Sequence, residues 1–449
     1  MRISGVSSII ALSVGSAALA SGVQAMEPDR PMLPADQQAG WELVQTLSDE
    51  FGEAKVDASR WDADVDDWGP WTWDPDNAAV EDGRLRLTIR YAPHRASRRA
   101  PEASGPSEQQ LYYKSGIVRS KDYQTYGYYE ARIKGVPTFP GSSPAFWIYS
   151  VADTNKRHGF ERMEGAVTYS EVDIVELQQG GFVENAVGRD GPEVIDMNLH
   201  MRMIESGKEI WKRPGNFPEM TKNRIEAKFD PRDDFHVYGA RVSPDEVIWY
   251  IDGVEVARKP NLYWHLPMYV TLSLGLRSPH VTYRDCAGGF WRCSVPEAAT
   301  ADGYPSTMEV DWVRTWRRSE EPRLGAPAMV KSPVAAPGGS ADASSPFKPG
   351  IDGDGDGRLS PAEFVMFMGT RELQIRDVDK NGKISVTEWL GSNDGGFQKL
   401  TLDRFNADGD DEMSPDEIVR VYLWVFSNRD KNKDGHLSSD ESPPFTLVS

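Results

Sequence analysis

Alternation of apolar and polar residues constrains this chain more than any other feature. It recurs in Gly83-Arg-Leu-Arg-Leu-Thr-Ile-Arg, Tyr126-Gly-Tyr-Tyr-Glu-Ala-Arg-Ile-Lys and Val247-Ile-Trp-Tyr-Ile-Asp-Gly, with Gly, Pro, Asn and Asp between the runs. A period of two belongs to extended strands, whose successive side chains point to opposite faces. No long amphipathic helix intervenes to carry a parallel crossover. The pattern therefore predicts an antiparallel all-β domain of sandwich or jelly-roll type, from about residue 40 to 318.

The alternation ends in a stretch of Pro, Ala, Gly and Ser. Residues 319–347, which include Pro333-Val-Ala-Ala-Pro-Gly-Gly-Ser, read as a linker. Beyond it, residues 348–449 set short apolar helical patches between acidic loops, which predicts a small all-α domain. Two domains also suit the length, since 449 residues exceed what one ordinary core serves.

The first residues read differently again. Arg2, an apolar stretch from Val6 to Ala20 and the small-x-small triplet Val23-Gln24-Ala25 have the form of a signal peptide over residues 1–25. The run is too short for a membrane span, and no other stretch is long enough to cross a bilayer. The expected location is outside the cytoplasm, extracellular or periplasmic. In an exported chain Cys286 and Cys293, with six residues between them, are expected to join in a local disulfide. The formal charge of -19 argues against nucleic acid as a partner, because polyanion binding needs a basic footprint. It does not exclude a sulfated ligand held by a local group of arginines.

Thr168-Tyr-Ser-Glu-Val-Asp-Ile-Val-Glu-Leu carries the candidate chemistry. On a regular strand Glu171 and Asp173 share a face, whereas Glu176, five residues from Glu171, points to the opposite one with Val172 and Ile174. An unpaired carboxylate in that apolar layer costs several kcal/mol or is neutralised. A β-bulge at Ile174-Val175 resets the parity and puts all three acids on one face. Adjacent carboxyls repel, so one can stay protonated while another is ionised. Glycoside hydrolysis needs that division, and two carboxyls roughly 5–5.5 Å apart would give retention through a covalent intermediate.

In this segment and its surroundings the chain resembles glycoside hydrolase family 16. The resemblance covers most of residues 41–318. It rests on Glu171-x-Asp173-x-x-Glu176 together with Lys114-Ser-Gly-Ile-Val-Arg-Ser-Lys, Ser143-Pro-Ala-Phe-Trp-Ile, Trp249-Tyr-Ile-Asp-Gly and Met308-Glu-Val-Asp-Trp-Val-Arg. It implies a concanavalin A-like jelly roll in which Glu171 is the nucleophile, Asp173 its helper and Glu176 the general acid/base. Within the family, Met197-Asn-Leu-His and Leu272-Ser-Leu-Gly-Leu-Arg are most similar to kappa-carrageenases, which cut β-1,4 bonds of a sulfated red-algal galactan. By that resemblance Trp147 and Trp211 would face sugar rings, His200 would line the cleft, and Arg277 would hold a sulfate. A planar guanidinium suits an oxyanion, and a flat indole suits the apolar face of a pyranose. His94, Arg95, Arg98 and Arg99 read as a charged loop outside the site. The long stretch from Gly180 to Arg232 is expected to be loop-like and to fold over the cleft, partly enclosing it.

Four segments of the tail fit the twelve-residue calcium frame of the EF-hand. The first has ligand positions at Asp352, Asp354, Asp356, Arg358 (backbone) and Glu363, and the second at Asp377, Asp379, Asn381, Lys383 (backbone) and Glu388. The fourth uses Asp430, Asn432, Asp434, His436 (backbone) and Glu441. These three have Gly at position six and Leu or Ile at position eight. The third, Asn406, Asp408, Asp410, Glu412 (backbone) and Glu417, starts with a neutral ligand and has Asp411 where Gly is wanted, so it should bind calcium most weakly. Calcium is expected to be structural rather than catalytic, and the domain could also dock onto a protein or cell surface.

These features together point to a secreted endo-acting hydrolase of a polysaccharide, a sulfated galactan first. An agarase, porphyranase or β-glucanase of the same fold is the nearest alternative. A non-catalytic, lectin-like sandwich is the rival of a different class, and retention of both Glu171 and Glu176 argues against it.

Overall fold

The computed structural model describes residues 30–99, 105–160, 162–163, 165–181, 190–205, 207–325, 346–348, 351–352, 357–379, 384–391, 396–406, 410–413, 415–432 and 435–446. The expected signal peptide, Asp354, Asp356, Asn381, Lys383, Asp408, Asp434 and most of the linker lie outside these residues.

Two sheets face each other. Among the described residues one has nine strands and the other ten. The nine, in chain order, are β1 (Trp61–Asp62), β2 (Ile117–Ser120), β3 (Ser142–Ser150), β4 (Val167–Glu176), β5 (Val194–Asp196), β6 (Leu199–Glu205), β7 (Lys208–Lys212), β8 (Arg224–Glu226) and β9 (Met268–Leu276). Their order across the sheet is β7-β6-β4-β3-β9-β2-β1, with β5 pairing to the end of β4 and β8 to β5. Arg84–Arg98, Gly127–Lys134, His236–Val242, Glu246–Ile251 and Ser306–Arg318 run through the ten-stranded sheet. The predicted antiparallel pattern holds except where Thr72–Trp73 pairs parallel to Lys114–Ser115.

The core fills the space between the sheets, as the alternation requires. Leu85, Leu87 and Ile89 are fully buried while Arg84 and Arg86 between them are not. From the nine-stranded sheet Phe146, Ile148, Val172, Val175, Leu199, Leu272 and Leu274 face them. Each such side chain contributes about 1.5–3 kcal/mol on burial, so the register is strongly specified: a slip by one residue would turn the apolar set to water. The opposite face of the nine-stranded sheet is left for polar side chains, and the candidate site lies there.

Two expectations change. Residues 180–232 contribute four strands, β5 to β8, and the short helix Pro218–Thr221, so they widen the sheet instead of looping over it. The reason is legible afterwards, since Leu199, Met201 and Met203 alternate with His200 and Arg202. His94, Arg95 and Arg98 sit on the strand Arg84–Arg98, paired with Ser107–Ser115, not in a loop. Arg98 is spent on Asp67 at 2.8 Å.

The tail is helical, with α1 (Pro361–Arg376), α2 (Val386–Leu390), α3 (Phe397–Phe405) and α4 (Pro415–Arg429). Two of these are longer than short patches implied, at 16 and 15 residues. Pro361 and Ser360 start α1, with a capping box between Ser360 and Glu363.

Candidate active site

The position-resetting bulge lies where parity requires it. Along β4, Asp173 is opposite Trp147 of β3, yet Val175 is opposite Phe146, so Ile174 is extra. Glu171 then stands opposite Tyr149 and Glu176 opposite Ala145, and all three acids share the face away from the core. The bulge is fixed from both sides. Trp249 of the facing sheet donates from Nε1 to the Asp173 carbonyl at 2.9 Å. Past Glu176 the chain turns sharply at Gln178, at φ 57°, whose side chain accepts from the Val136 N–H and donates to its carbonyl, both at 2.8 Å.

The three acids sit in different surroundings. Burial, then the charges of Glu176 and Glu171, push Asp173 well above the usual carboxylate range, while contact with His200 opposes the rise. His200, opposite Glu171 on β6, reaches Asp173 with Nε2 at 3.1 Å and Glu171 at 3.8 Å. Burial works to lower the His200 pKa, but Glu171 and Asp173 outweigh it and hold it up at about 9. Tyr169 donates its hydroxyl to Glu171 Oε2. Glu176 is held by the Arg277 guanidinium at 2.6 Å, and Arg277 Nε is anchored on Gln179 at 2.6 Å. Such charge-assisted contacts fix the direction of the carboxylate.

The sequence did not point to Tyr169, Gln179 or Asp196. Asp196 of β5 pairs directly with Glu176, which puts a fourth carboxyl beside the three. Burial, then the Glu176 charge, raises it to about 6. Adjacency on the strand could have found Tyr169. Asp196 depends on a cross-strand register that no local pattern encodes.

Aromatic side chains wall the face. Trp147 is half-buried, donates to Ser273 Oγ at 3.0 Å and stacks on Tyr149 at 4.5 Å. Trp68 meets its edge at 5.9 Å. On the other side Trp211 of β7 lies 6.3 Å from the His200 ring and 4.7 Å from Trp291. Trp291 belongs to the loop closed by the Cys286–Cys293 disulfide. The next residue, Arg292, donates to the Trp68 carbonyl at 3.1 Å. The loop thus touches Trp211 on β7 and the Trp68 segment that lies against Trp147 of β3. Of residues 180–232, expected to fold over the cleft, 182–189 lie outside the described residues.

In the tail the calcium frames pair through position eight. Leu359 bridges Leu437, joining the first and fourth loops, and Ile384–Ser385 pairs with Glu412–Met413, joining the second and third. Gly357 and Gly435 at position six have φ of 80° and 84°, the left-handed backbone the frame needs. Their N–H groups donate to Asp352 and Asp430 at position one, both at 3.0 Å. Asp377, Asp379 and Glu388 bring ligand oxygens within 4.8 Å of one another, a donor set of hard oxygens that fits a calcium ion.

Residues 41–318 match the family model described as Beta-porphyranase A-D, GH16 domain, and residues 351–368 match an EF-hand model. The kappa-carrageenase of Pseudoalteromonas carrageenovora is 43% identical over 284 residues, which are 62% of this chain and 64% of that protein. A crystal structure of the kappa-carrageenase from that organism, in complex with an oligotetrasaccharide of kappa-carrageenan, is similar at a TM-score of 0.54 and 38% identity, over 66% of this chain and 98% of that one. A kappa-carrageenase structure from Zobellia galactanivorans gives a TM-score of 0.55 at 36% identity, over 65% of this chain and 100% of that one. With the matched span 41–318 exceeding half of its 449 residues, the chain belongs to glycoside hydrolase family 16.

Proposed function

We propose that this protein is a secreted, retaining endo-hydrolase of a sulfated red-algal galactan, kappa-carrageenan, acting at its β-1,4 bonds. The observation that carries the chemistry is the bulge at Ile174, which turns Glu171, Asp173 and Glu176 to one face. In the first step the Glu171 carboxylate attacks the anomeric carbon while Glu176 gives its proton to the departing glycosidic oxygen, leaving a glycosyl ester on Glu171. In the second, Glu176 takes a proton from water, the water oxygen displaces Glu171, and the sugar leaves with its configuration retained. Asp173 orients His200 at 3.1 Å, and the His200 cation and the Tyr169 hydroxyl hold the Glu171 carboxylate in place.

Similarity to two kappa-carrageenases and the presence of Arg277 beside Glu176 support a sulfated substrate. Trp147 and Trp211 serve as sugar platforms. The working unit is residues 40–318, exported by the signal peptide 1–25 and joined through the linker 319–347 to a calcium-binding domain at 348–449. There Asp352, Asp377, Asp379, Glu388, Asp430 and Glu441 would hold structural calcium.

The test is reducing-end release from kappa-carrageenan, porphyran, agarose and laminarin, with the anomer of the first product read by NMR. Cleavage of kappa-carrageenan with a β product is expected. Preference for porphyran, in keeping with the matched family description, would move the substrate to another sulfated galactan. Preference for laminarin would overturn the sulfated reading.

A further inference from the structure

Arg277 has few donors to spare. Its Nε is held by Gln179, one terminal nitrogen by Glu176 and the other by the Leu276 carbonyl at 2.9 Å. A second guanidinium stands close by. Arg292, held next to Cys293 in the disulfide-closed loop, lies 5.3 Å from the centre of the Trp71 ring and hydrogen-bonds the Tyr283 hydroxyl and the Trp68 carbonyl. Among the described residues it makes no ion pair with a carboxylate. Burial and the nearby Arg277 charge lower its pKa, opposed by Tyr283 and Glu171. Two guanidiniums gathered in a chain of net charge -19, one of them lacking a counter-ion, form an arrangement that an anion would relieve.

We infer that Arg292 binds a sulfate ester of the substrate and is a specificity-determining residue of this cleft. This rests on the sulfated-galactan reading above. The Trp71 indole covers one side of the guanidinium and shields it from water, which strengthens its attraction for an oxyanion. The planar fork suits two sulfate oxygens at once. The disulfide holds the residue next to Arg292 and so limits the entropy the loop loses on binding. Neutral galactans offer this position no counter-charge, so discrimination arises from leaving Arg292 unpaired.

The experiment uses the full chain carrying Glu171→Gln, so that ligand is bound without being cut. Affinities for a kappa-carrageenan oligosaccharide and its chemically desulfated counterpart are measured by calorimetry, before and after Arg292→Gln. Gln keeps an N–H for the Trp68 carbonyl, and Arg292→Lys, which keeps the charge, serves as the second variant. Arg292→Gln is expected to weaken the sulfated ligand about tenfold or more and to change the desulfated one less than about twofold, with Lys recovering part of the loss. An equal loss for both ligands, or none for either, would overturn the role of Arg292 while leaving the substrate reading intact. No preference for the sulfated ligand in the Glu171→Gln parent would instead overturn the substrate reading and this inference together.

Discussion

His200 shows how one residue's surroundings set its charge. Its folded pKa of about 9 lies above the ordinary 6.5 because Glu171 and Asp173 outweigh burial. A raised pKa means that the charged form is favoured by folding, so this stabilisation is complete below about pH 6.5 and is lost as pH rises through about 9. The thermal midpoint should therefore fall across that window, and His200→Gln should flatten the fall. Equal slopes in the two proteins would remove His200 from the electrostatics of the cleft. Asp173 is the mirror case, an acid whose pKa is raised by burial and by two neighbouring carboxylates. At this scale the sequence was informative where parity or residue type decided the matter, as with Glu171, Asp173 and Glu176. It was silent on Asp196 and Arg292. Asp196 is placed by its pairing with Glu176 and Arg292 by the disulfide-closed loop, and no local period encodes such placement.

The bulge is the element on which the site depends. Deleting Ile174 alone would leave Glu-x-Asp-x-Glu, still on one face, whereas deleting Ile174 and Val175 together would leave an odd spacing and point Glu176 into the layer of Val172 and Phe146. The buried, unpaired carboxylate should cost several kcal/mol, seen as a large drop in thermal midpoint with loss of polymer cleavage. Wild-type stability in the double-deletion variant would mean that strand parity does not decide which face Glu176 takes. Elements with strong patterns, such as Arg84–Arg98, were legible because one face is buried. The strands β5 to β8 were not, because they are short and their alternation is broken by turns. In the tail the frames were legible one by one, but not the nesting of the first loop with the fourth and the second with the third, which depends on how α1 and α4 pack. Calorimetric titration should find three calcium ions bound tightly and a weaker fourth at Asn406–Glu417. Glu388→Gln should remove one of the three, and a fourth tight site would contradict the weakness assigned to Asn406 and Asp411.

As a whole molecule, the protein joins the cleft of a glycoside hydrolase to a helical tail that carries EF-hand frames. The two meet where Arg420 of α4 donates to the Asn216 carbonyl at 3.2 Å and lies 4.5 Å from the centre of the Phe217 ring, while Asn216 in turn holds the Trp211 carbonyl at 2.8 Å. The calcium frames contain none of the cleft acids. Chelation should thus lower the thermal midpoint while leaving most of the cleavage rate, and complete loss of activity in a protein that stays folded would contradict a structural role for the ion. The change from a β-sandwich to a helical tail was legible in the sequence, because strand alternation gives way to short apolar patches between acidic loops. Their contact was not, since it joins residues some two hundred positions apart.

The most direct test of the account is reducing-end release from kappa-carrageenan by the wild type, Glu171→Gln and Glu176→Gln, with folding of each verified by its thermal midpoint. Cleavage by the wild type, with a loss of about a thousandfold in both variants, is the predicted result. Cleavage at the wild-type rate by either variant would contradict it.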